Sequence, residues 1–354
     1  MKKRTTYSKP TAIPERASFA GIDYHKKFAV IALGDENGSV LGIFKIFNND
    51  ENNVRGFFSR FPGLQCAIEN CRGKEWFVEI LKESGCMVSI SNTYAVKLIA
   101  ESRCKTDKID ARILMELLAK GFLPTVYQPT AEETALREQL RWRTALMRSR
   151  TQYKNRAHAL MDKENKGAKV GSTKSRTKIF EKQPLSQHRQ EILDGQLEVI
   201  EFFEELVRAE DKRFEHLANT NADTIRLQTI PGFGPLSSVA YFAEIGDVSR
   251  FKNARKVSGY LGLASRLYSS SDTRRLGPIT KQGSGHMRWL LVQSAWMSLR
   301  TSPYFLQRFN QIKARRGKGP AIVAIARMLC EIAYRILRDK TTYDESRLWA
   351  AIAS

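Results

Sequence analysis

The sequence predicts an α/β plus α fold: an N-terminal mixed sheet, then an antiparallel coiled-coil hairpin, then a mostly helical C-terminal domain. Three observations lead to this prediction. Short apolar strands alternate with helical segments up to about residue 120, long apolar stripes at helical spacing follow, and the rest is helical apart from one serine-rich stretch. With 354 residues the chain is long enough for several domains. We expect a basic tail over 1–16 and domains over 17–125, 126–222 and 223–354.

The first domain is predicted from the order of its strands and helices. A strand begins at Phe19 and resumes over 28–33, and Asn37-Gly38 marks a turn before an alternating second strand over 40–47. The order strand, strand, helix, strand, helix, strand, helix suits a mixed sheet with helices packed on it. The later elements are expected as helices over 54–61 and 76–81, strands over 65–68 and 87–90, and two closing helices, the second from about Thr106 to Lys120.

Two apolar stripes predict the helical hairpin. One runs from Leu136 to Leu160 and the other from Leu193 to Leu217, with a polar stretch over 163–183 between them. Residues 137–189 carry 15 Lys and Arg against 4 Asp and Glu, so about half of the net charge of +21 lies on the first arm and the tip. Such an excess attracts polyanions and releases their counterions.

Composition excludes several classes of protein. The sequence contains no run of about 18 apolar residues, so we expect no transmembrane helix. The basic start Met1–Arg4 lacks the apolar segment of a secretory signal. The five cysteines are odd in number and form no CxxC pair, which indicates reduced thiols and no zinc site. We therefore expect a cytoplasmic protein without a membrane partner.

Four carboxylates are candidates for a metal site. Asp107 and Asp110 lie three residues apart at the start of a predicted helix, and so on one face of it. Asp23 lies inside an apolar strand, where an unpaired carboxylate is costly, and Glu69 ends a short apolar strand. Four clustered acids repel one another unless cations neutralise them, and hard oxygen ligands select Mg²⁺ or Mn²⁺. Two such ions can stabilise the attacking and leaving oxygens of a phosphodiester.

Each acid also has a purely structural explanation. Asp107 and Asp110 suit the N-terminus of a helix capped by Thr106. Asp23 could pair with a nearby lysine such as Lys26, and Glu69 could be a surface acid at the end of its strand. The sequence alone leaves both interpretations open.

A serine cluster, Ser269-Ser270-Ser271, precedes several basic residues. A serine hydroxyl is a weak nucleophile that needs a base or a metal to activate it. Cationic side chains can hold a phosphate and its developing charge. An ordinary polar loop is the alternative, and we expect His286 to be structural or to contact phosphate. The candidate phosphate-holding residues are Arg274, Arg275, Lys281 and Arg288.

A Pro- and Gly-rich segment, Ile230–Gly234, is similar to the hairpin of a helix-hairpin-helix element. In such an element the backbone N–H groups, here those near Gly232 and Gly234, approach a phosphate at a helix N-terminus. A plain connection between helices is the alternative.

The basic arm is a further candidate for nucleic-acid contact. Trp142 lies between two arginines, where it could stack on a base, but we expect it to pack inward on a solvated helix. The residues expected to bind nucleic acid are Arg141, Arg143, Arg148 and Lys154.

Taken together, these motifs resemble the DEDD-type transposases of bacterial insertion sequences, a family that includes the Piv-type DNA invertases. The resemblance covers about residues 17–345. The segments that carry it keep the order and spacing of the family. They are Gly21-Ile22-Asp23-Tyr24-His25-Lys26, Ala67-Ile68-Glu69, Lys105–Ala111, Ile230–Pro235, Tyr260-Leu261-Gly262-Leu263 and Gly277–Gly283.

The resemblance implies a RuvC-like (ribonuclease H-like) domain, a coiled-coil insertion and a C-terminal transposase domain. It implies that Asp23, Glu69, Asp107 and Asp110 bind Mg²⁺ or Mn²⁺, and that Ser270 attacks DNA to form a covalent phosphoserine. The implied partners are double-stranded DNA at element ends and target, a structured guide RNA, and further copies of the chain in a dimer or tetramer. The resemblance also implies that the protein acts in a bacterial cell.

The chain departs from the family pattern at two points. The family usually has glycine after the catalytic serine, where this chain has Ser271, so Ser269 and Ser271 remain rivals of Ser270. After Glu69 the family commonly has Thr-Gly, where this chain has Asn70-Cys71-Arg72-Gly73. A metal-only junction-resolving nuclease and an inactive nucleic-acid binder are the alternative functions.

Overall fold

A computed structural model describes residues 12–48, 50–100, 106–166, 185–270 and 273–353. The chain divides into two compact units, Met1–Gln128 and Pro129–Ser354. In the described ranges, no helix is both long and apolar enough to span a membrane. The expected separation of the helical hairpin from the C-terminal domain stays a prediction.

The first unit contains a five-stranded mixed sheet in the order β3-β2-β1-β4-β5. The strands β1, β2 and β3 are antiparallel neighbours, whereas β4 and β5 run parallel to β1. The mixed sheet predicted from the sequence is confirmed. Its elements are β1 (Phe19–Tyr24), β2 (Phe28–Gly34), β3 (Val40–Phe47), α1 (Glu51–Phe58), β4 (Gln65–Glu69), α2 (Glu75–Glu83), β5 (Met87–Ser91), α3 (Thr93–Ile99) and α4 (Asp107–Ala119).

The interrupted strand expected from Phe19 to residue 33 is in fact two antiparallel strands, so that prediction was wrong. The chain reverses over residues 25–27, where the His25 N–H donates to the carbonyl of Phe28 (2.9 Å). The Asn48 N–H, which follows β3, donates to the carbonyl of Lys27 (3.0 Å) and holds the reversal in place. Both strands are almost fully buried, so their apolar residues form one run that hides the turn.

Helices cover both faces of the sheet. On one face, α1 and α2 pack on a core that includes Ile22, Ile31 and Ile68. On the other face, α4 packs on β1 and β2, and Ala111 and Met115 of the helix meet Val30 and Ala32 of the sheet. Alternate residues of a strand point to opposite faces. Asp23, adjacent to Ile22, therefore faces α4.

The second unit begins with two long antiparallel helices. They are α5 (Ala131–Asp162) and α6 (Gln187–Thr220), and a cluster around Ala157 and Leu197 packs between them. Their antiparallel order follows from the contacts Arg143–Asp211 and Lys154–Glu204. Most of the polar stretch expected at the tip lies outside the described residues.

The remaining chain packs mainly as helices around one apolar core, to which α5 and α6 also contribute Leu140 and Phe214. The serine-rich stretch over 264–285, expected to be irregular, instead contains an antiparallel pair of strands. Its serines and arginines carry no apolar alternation, so the sequence pattern does not reveal these strands. The elements are α7 (Ala222–Gln228), α8 (Pro235–Ile245), α9 (Ala254–Tyr260), β6 (Ser265–Ser270), β7 (Thr273–Ile279), α10 (Gly285–Thr301), α11 (Pro303–Arg316), α12 (Lys318–Asp339) and α13 (Ser346–Ala353).

Candidate functional site

Two of the four candidate acids lie at the ends of neighbouring parallel strands. Ile22 of β1 pairs with Ile68 of β4, and Asp23 and Glu69 are the next residues along the two strands. Burial raises the pKa of the Cys71 thiol, Lys74 opposes the rise, and Glu69 and Asp23 both add to it. Asp23 and Glu69 therefore lie near the same thiol. The strand register also places both side chains on the face of the sheet that α4 covers.

The other two acids lie in the first turn of α4. As the sequence predicted, Thr106 caps this helix, and its hydroxyl accepts a hydrogen bond from the Ile109 N–H (3.3 Å). Asp107 and Asp110 follow directly. The helix can approach the sheet closely because β1 has glycine at position 21. A Cβ at Gly21 would overlap the carbonyl oxygen of Ala111 and the backbone nitrogen of Met115.

A histidine joins the acids of the strand and the helix. The Nε2 atom of His25 lies 3.2 Å from Asp23 Oδ2 and 3.5 Å from Asp107 Oδ2. Asn48 fixes the backbone here, since its Nδ2 donates to the His25 carbonyl at 2.7 Å. The side chain that pairs with Asp23 in the described structure is thus His25 rather than Lys26.

The electrostatics of Asp23 indicate a site that favours a cation. Burial raises the pKa of this carboxyl above its usual value of 3.8, and the nearby acids Asp107 and Asp110 raise it further. The charge of His25 and its hydrogen bond oppose the rise. An ionised carboxylate in this place is destabilised by its surroundings, and a bound cation would relieve that destabilisation.

The donor atoms fit a divalent metal ion. One ligand atom each from Asp23, His25 and Asp107 lies within 4.8 Å of the other two. Carboxylate oxygens are the ligands that hard divalent cations prefer. Asp110 is close enough to Asp23 to raise its pKa, and Glu69 lies one strand away on the same sheet face. The structure therefore brings Asp23 and Asp107 together directly, with the other two acids as neighbours.

The candidate serine lies at the end of β6. The backbone of Ser269 pairs with Arg274 and that of Ser270 with Thr273, so the serines lie on the strand opposite the basic pair. The rival Ser271 lies outside the described residues. The serines are therefore held on a hairpin of two strands rather than in the plain loop considered as an alternative.

The base of this hairpin is unusually tight. A Cβ at Gly262 would overlap the carbonyl of Gln282, and one at Gly283 would overlap the carbonyl of Tyr260. Both glycines have positive φ, 72° and 80°. Lys281 also has positive φ (57°), and its N–H donates to the Gly262 carbonyl at 3.1 Å.

Arg288 clamps the two sides of this base together. Its Nη1 atom donates to the carbonyls of Leu261 (3.0 Å), Gln282 (3.0 Å) and Gly283 (3.1 Å). Burial lowers the pKa of this guanidinium. In the described structure Arg288 therefore binds backbone, and its expected contact with phosphate stays a prediction.

The Ile230–Gly234 turn is used in packing. A Cβ at Gly232 would overlap the carbonyl oxygen of Ser294 on α10, and φ at this glycine is 85°. The Gly234 N–H donates to Ser237 Oγ (3.0 Å), and the Phe233 N–H donates to the Ile230 carbonyl (2.9 Å). Two of the amides of the turn are thus already hydrogen-bonded, and the phosphate role stays a prediction.

The basic residues of α5 divide into two groups. Arg143 pairs with Asp211 and Lys154 with Glu204, so α6 offsets part of the charge that the sequence assigned to nucleic acid. Arg141 and Arg148 are exposed. Trp142, expected to pack inward, is instead 52% exposed, because residues 140, 144 and 146 supply the buried positions of this turn.

Comparison with known proteins decides the family. The model described as "Transposase IS116/IS110/IS902 family" matches residues 225–310, and the model of the IS110-type DEDD transposases matches residues 20–165. The chain contains transposase domains of the IS110/IS116/IS902 family. The first match spans the serine hairpin and its tight base, and the second spans all four acids.

Three relatives illustrate the range of this transposase family. A probable family 20 transposase of Pseudomonas aeruginosa is 26% identical, over 82% of this chain and 88% of its own. The transposase of element IS1111A of Coxiella burnetii is 25% identical, over 78% of each chain. A pilin gene-inverting protein of Moraxella bovis is 28% identical, over 73% of this chain and 74% of its own.

These transposase domains make the chain an enzyme of DNA cleavage and strand transfer, and they indicate dependence on a divalent metal. Sequence reasoning missed His25 as a site residue. Its sequence signals were its position two residues after Asp23, at the end of a buried strand, and its place in the segment Gly21–Lys26 that carries the family resemblance. His25 is recognised as a site residue only in the structure, where α4 places Asp107 beside it.

Proposed function

We propose that this transposase cuts and rejoins DNA by serine transesterification assisted by Mg²⁺ or Mn²⁺, with Ser270 as the nucleophile. We further propose that a structured RNA from its own element guides it. The observation that carries the proposal is the set of ligand atoms from Asp23, His25 and Asp107, which lie within 4.8 Å of one another at the end of β1.

In this proposal the acids of the first unit hold the metal. Asp23 and Asp107 would bind it, and Glu69 and Asp110 would complete the tetrad. A divalent ion held there would stabilise negative charge on phosphate oxygens as a phosphodiester is cleaved. The strand order β3-β2-β1-β4-β5, with the acids on β1, β4 and the facing helix, supports a RuvC-like domain.

The hairpin of the second unit supplies the nucleophile. The Ser270 oxygen forms a bond to phosphorus, and the bond from phosphorus to one deoxyribose oxygen breaks. The serine loses its proton, and the departing oxygen takes one up. A deoxyribose hydroxyl of the second strand then attacks the phosphoserine and releases the serine. One phosphodiester is broken and one is formed, so no other energy source is needed.

The same proposal gives the backbone of the hairpin a role in positioning. Arg288 and the two close-packed glycines fix the start of β6 and the end of β7. Such support limits the freedom of a nucleophile that must meet phosphorus in line. Arg274 and Arg275, on the strand opposite the serines, are proposed to hold the phosphate.

Nucleic-acid partners follow from charge and family. The net charge of +21 favours polyanions, and the exposed Arg141 and Arg148 lie on the basic arm proposed to hold the guide RNA. Exchange of two duplexes needs more than one serine, so we propose that the chain acts as a dimer or tetramer.

The decisive experiment looks for the covalent intermediate. The protein is incubated with Mg²⁺, element-end DNA and transcripts of the flanking region, then denatured and digested, and residues 266–274 are searched by mass spectrometry for an attached nucleotide. We expect the adduct on Ser270, its loss in Ser270→Ala, and its persistence in Ser269→Ala and Ser271→Ala. Omitting the transcripts tests the need for RNA.

The alternative function predicts a different outcome. A metal-only nuclease would cleave DNA in Mg²⁺ without an adduct, even under trapping conditions, and Ser270→Ala would leave cleavage intact. Asp107→Asn is expected to abolish recombination and to leave DNA binding nearly unchanged. Normal recombination by either Asp107→Asn or Ser270→Ala would contradict the proposed mechanism.

A further inference from the structure

A cluster of cationic and aromatic side chains lies where α5 meets the start of α10. Arg141, Thr144 and Arg148 recur along one face of α5 at steps of three and four residues. His286 of α10 contacts this face through Thr144, and its ring stacks on Trp289 one turn later, with centroids 6.1 Å apart and planes 18° from parallel.

Hydrogen bonding fixes which nitrogen of His286 is available. The hydroxyl of Thr144 donates its one hydrogen to the Leu140 carbonyl at 2.9 Å. Its oxygen therefore accepts from His286 Nε2, which lies 2.7 Å away. In the tautomer that fits both contacts of Thr144, Nε2 carries the proton, and Nδ1 makes no hydrogen bond with the part of the chain that the structure describes. A protonated His286 can donate from Nδ1 to an anion.

The electrostatics of the cluster also suit an anion. Burial lowers the pKa of His286, and the charges of Arg141, Arg148 and Arg143 lower it further. Arg143 is paired with Asp211, whereas Arg141 and Arg148 are exposed and form no ion pair within the described ranges. One acid, Glu244, faces the same small cavity as Arg141 and His286.

The aromatic member of the cluster is open to a ligand. Trp289 is 46% exposed although one side of its indole stacks on His286. An exposed indole beside unpaired arginines suits a phosphate and a base of the same strand, because every base offers a π-face that can stack. In a duplex both faces of an internal base are already stacked, so this arrangement favours unpaired nucleotides.

We propose that Arg141, Arg148, His286 and Trp289 form a binding site for a single-stranded segment of nucleic acid. The two arginines and His286 hold a phosphate, and an unpaired base stacks on Trp289. The site deepens the proposed function and rests on it in taking nucleic acid as the partner. It is adjacent to the base of the serine hairpin, since Gly283 and Arg288 flank His286 in sequence and hold that base.

The first test measures binding of a fluorescein-labelled 20-residue oligothymidylate and of a duplex of equal length by anisotropy. Trp289→Ala is expected to weaken single-strand binding by roughly 10-fold and duplex binding much less. Arg141→Gln and Arg148→Gln are each expected to lower the salt slope of single-strand binding by up to about 0.7. Thermal melting checks that each variant is folded.

Matched controls remove the same charge or ring elsewhere in the unit. Arg300→Gln changes an exposed arginine at the far end of α10, and Phe202→Ala removes a 58% exposed ring on α6. Both are expected to bind the oligonucleotide as the natural protein does. If the controls lose as much affinity as the site variants, or if Trp289→Ala weakens duplex and single strand equally, the site is wrong.

A second test uses the protonation of His286. A phosphate at Nδ1 favours the charged imidazole, whose pKa is lowered in the free protein by burial and by Arg141, Arg148 and Arg143. Arg137 and Glu244 are the other charged residues that line the cavity beside His286. Single-strand affinity should therefore rise as pH falls, and this rise should vanish in His286→Gln. The same pH dependence in both proteins would overturn the role of His286. If these binding tests fail but the serine adduct still forms, the single-strand site is wrong and the proposed function still holds.

Discussion

Gly21 of β1 packs directly on the backbone of Ala111 in α4, and no side-chain atom fits between them. Ala111 is adjacent to Asp110 and one helical turn from Asp107, and Gly21 is two residues from Asp23. Residue 21 has only a hydrogen atom in place of a side chain, so the strand and the helix can approach closely. The acids on the two elements meet as a consequence. A glycine inside a strand usually weakens it, so its presence here has a structural purpose.

We therefore expect Gly21→Ala to disrupt the metal site. The added methyl must push α4 from the sheet, which should destabilise the protein by about 1–3 kcal/mol and weaken binding of Mg²⁺ in calorimetric titration. Gly56→Ala is the matched control, because a Cβ at Gly56 of α1 meets no atom within 4 Å. Alanine favours a helix, so the control should be neutral or stabilising. Unchanged metal affinity in Gly21→Ala would show that the close contact does not position the acids.

The raised pKa of Asp23 gives a prediction about stability. The folded protein holds the Asp23 proton more tightly than the unfolded chain, mainly because the carboxyl is buried. Its stabilising contribution is therefore present below the unfolded pKa and is lost as pH rises through the folded pKa. With EDTA at neutral pH, Asp23→Asn should melt at a higher temperature than the natural protein, and the difference should shrink as pH falls toward 4.

Addition of Mg²⁺ should reverse that order, because only the natural protein gains stability from the bound ion. Glu36→Gln, at an exposed position, is the control and should follow the natural protein throughout. An Asp23→Asn variant that is less stable than the natural protein in EDTA at neutral pH would contradict this account of the site.

The sequence predicts the local features of this site, but not the contacts between residues that are far apart in the chain. Thr106 as a helix cap and Glu69 at a strand end are local features, and both were predicted correctly. The contact between His25 and Asp107 joins residues far apart in the chain, and only the packing at Gly21 creates it. A single sequence contains periodicity and capping but no record of which elements pack together.

The hairpin that holds Ser269 and Ser270 shows a second limit. Its two strands are specified by a tight base, where Gly262 packs on Gln282, rather than by alternating apolar residues. The reversal after Tyr24 was missed for the opposite reason, because buried apolar residues continue on both sides of it. Sequence pattern detects strands whose apolar and polar residues alternate, and it misses strands without alternation and turns inside a continuous apolar run.

The position of His25 gives a prediction about metal preference. Neighbouring ligands of an octahedral ion at about 2.1 Å are about 3.0 Å apart, and His25 Nε2 lies 3.2 Å and 3.5 Å from the oxygens of Asp23 and Asp107. An imidazole ligand favours Mn²⁺ over Mg²⁺. His25→Ala should therefore lose roughly 10-fold in affinity for Mn²⁺ and less for Mg²⁺.

Calorimetric titration with each ion measures both affinities, and electron-spin-echo spectroscopy of bound Mn²⁺ reports a coordinated nitrogen directly. Lys26→Ala is the control, since it removes the adjacent side chain, which is exposed. Loss of the nitrogen signal in His25→Ala alone would assign the ligand. Equal losses for the two ions, with no nitrogen signal in the natural protein, would leave His25 as a hydrogen-bond partner of Asp23.

Variants of Arg288 can distinguish a role in positioning the serine hairpin from a role in binding DNA. Lysine can retain the charge, but its side chain is one bond shorter, so its Nζ cannot lie where Nη1 contacts the three carbonyls of the hairpin base. We expect Arg288→Lys to slow strand cleavage by roughly 10- to 100-fold, because the nucleophile is less well held, while affinity for duplex DNA and its salt slope stay the same. Arg300→Lys, on the same helix, should change neither quantity. If Arg288→Lys cleaves normally but Arg288→Gln binds DNA with a smaller salt slope, Arg288 contacts phosphate and its three carbonyl bonds do not matter for catalysis.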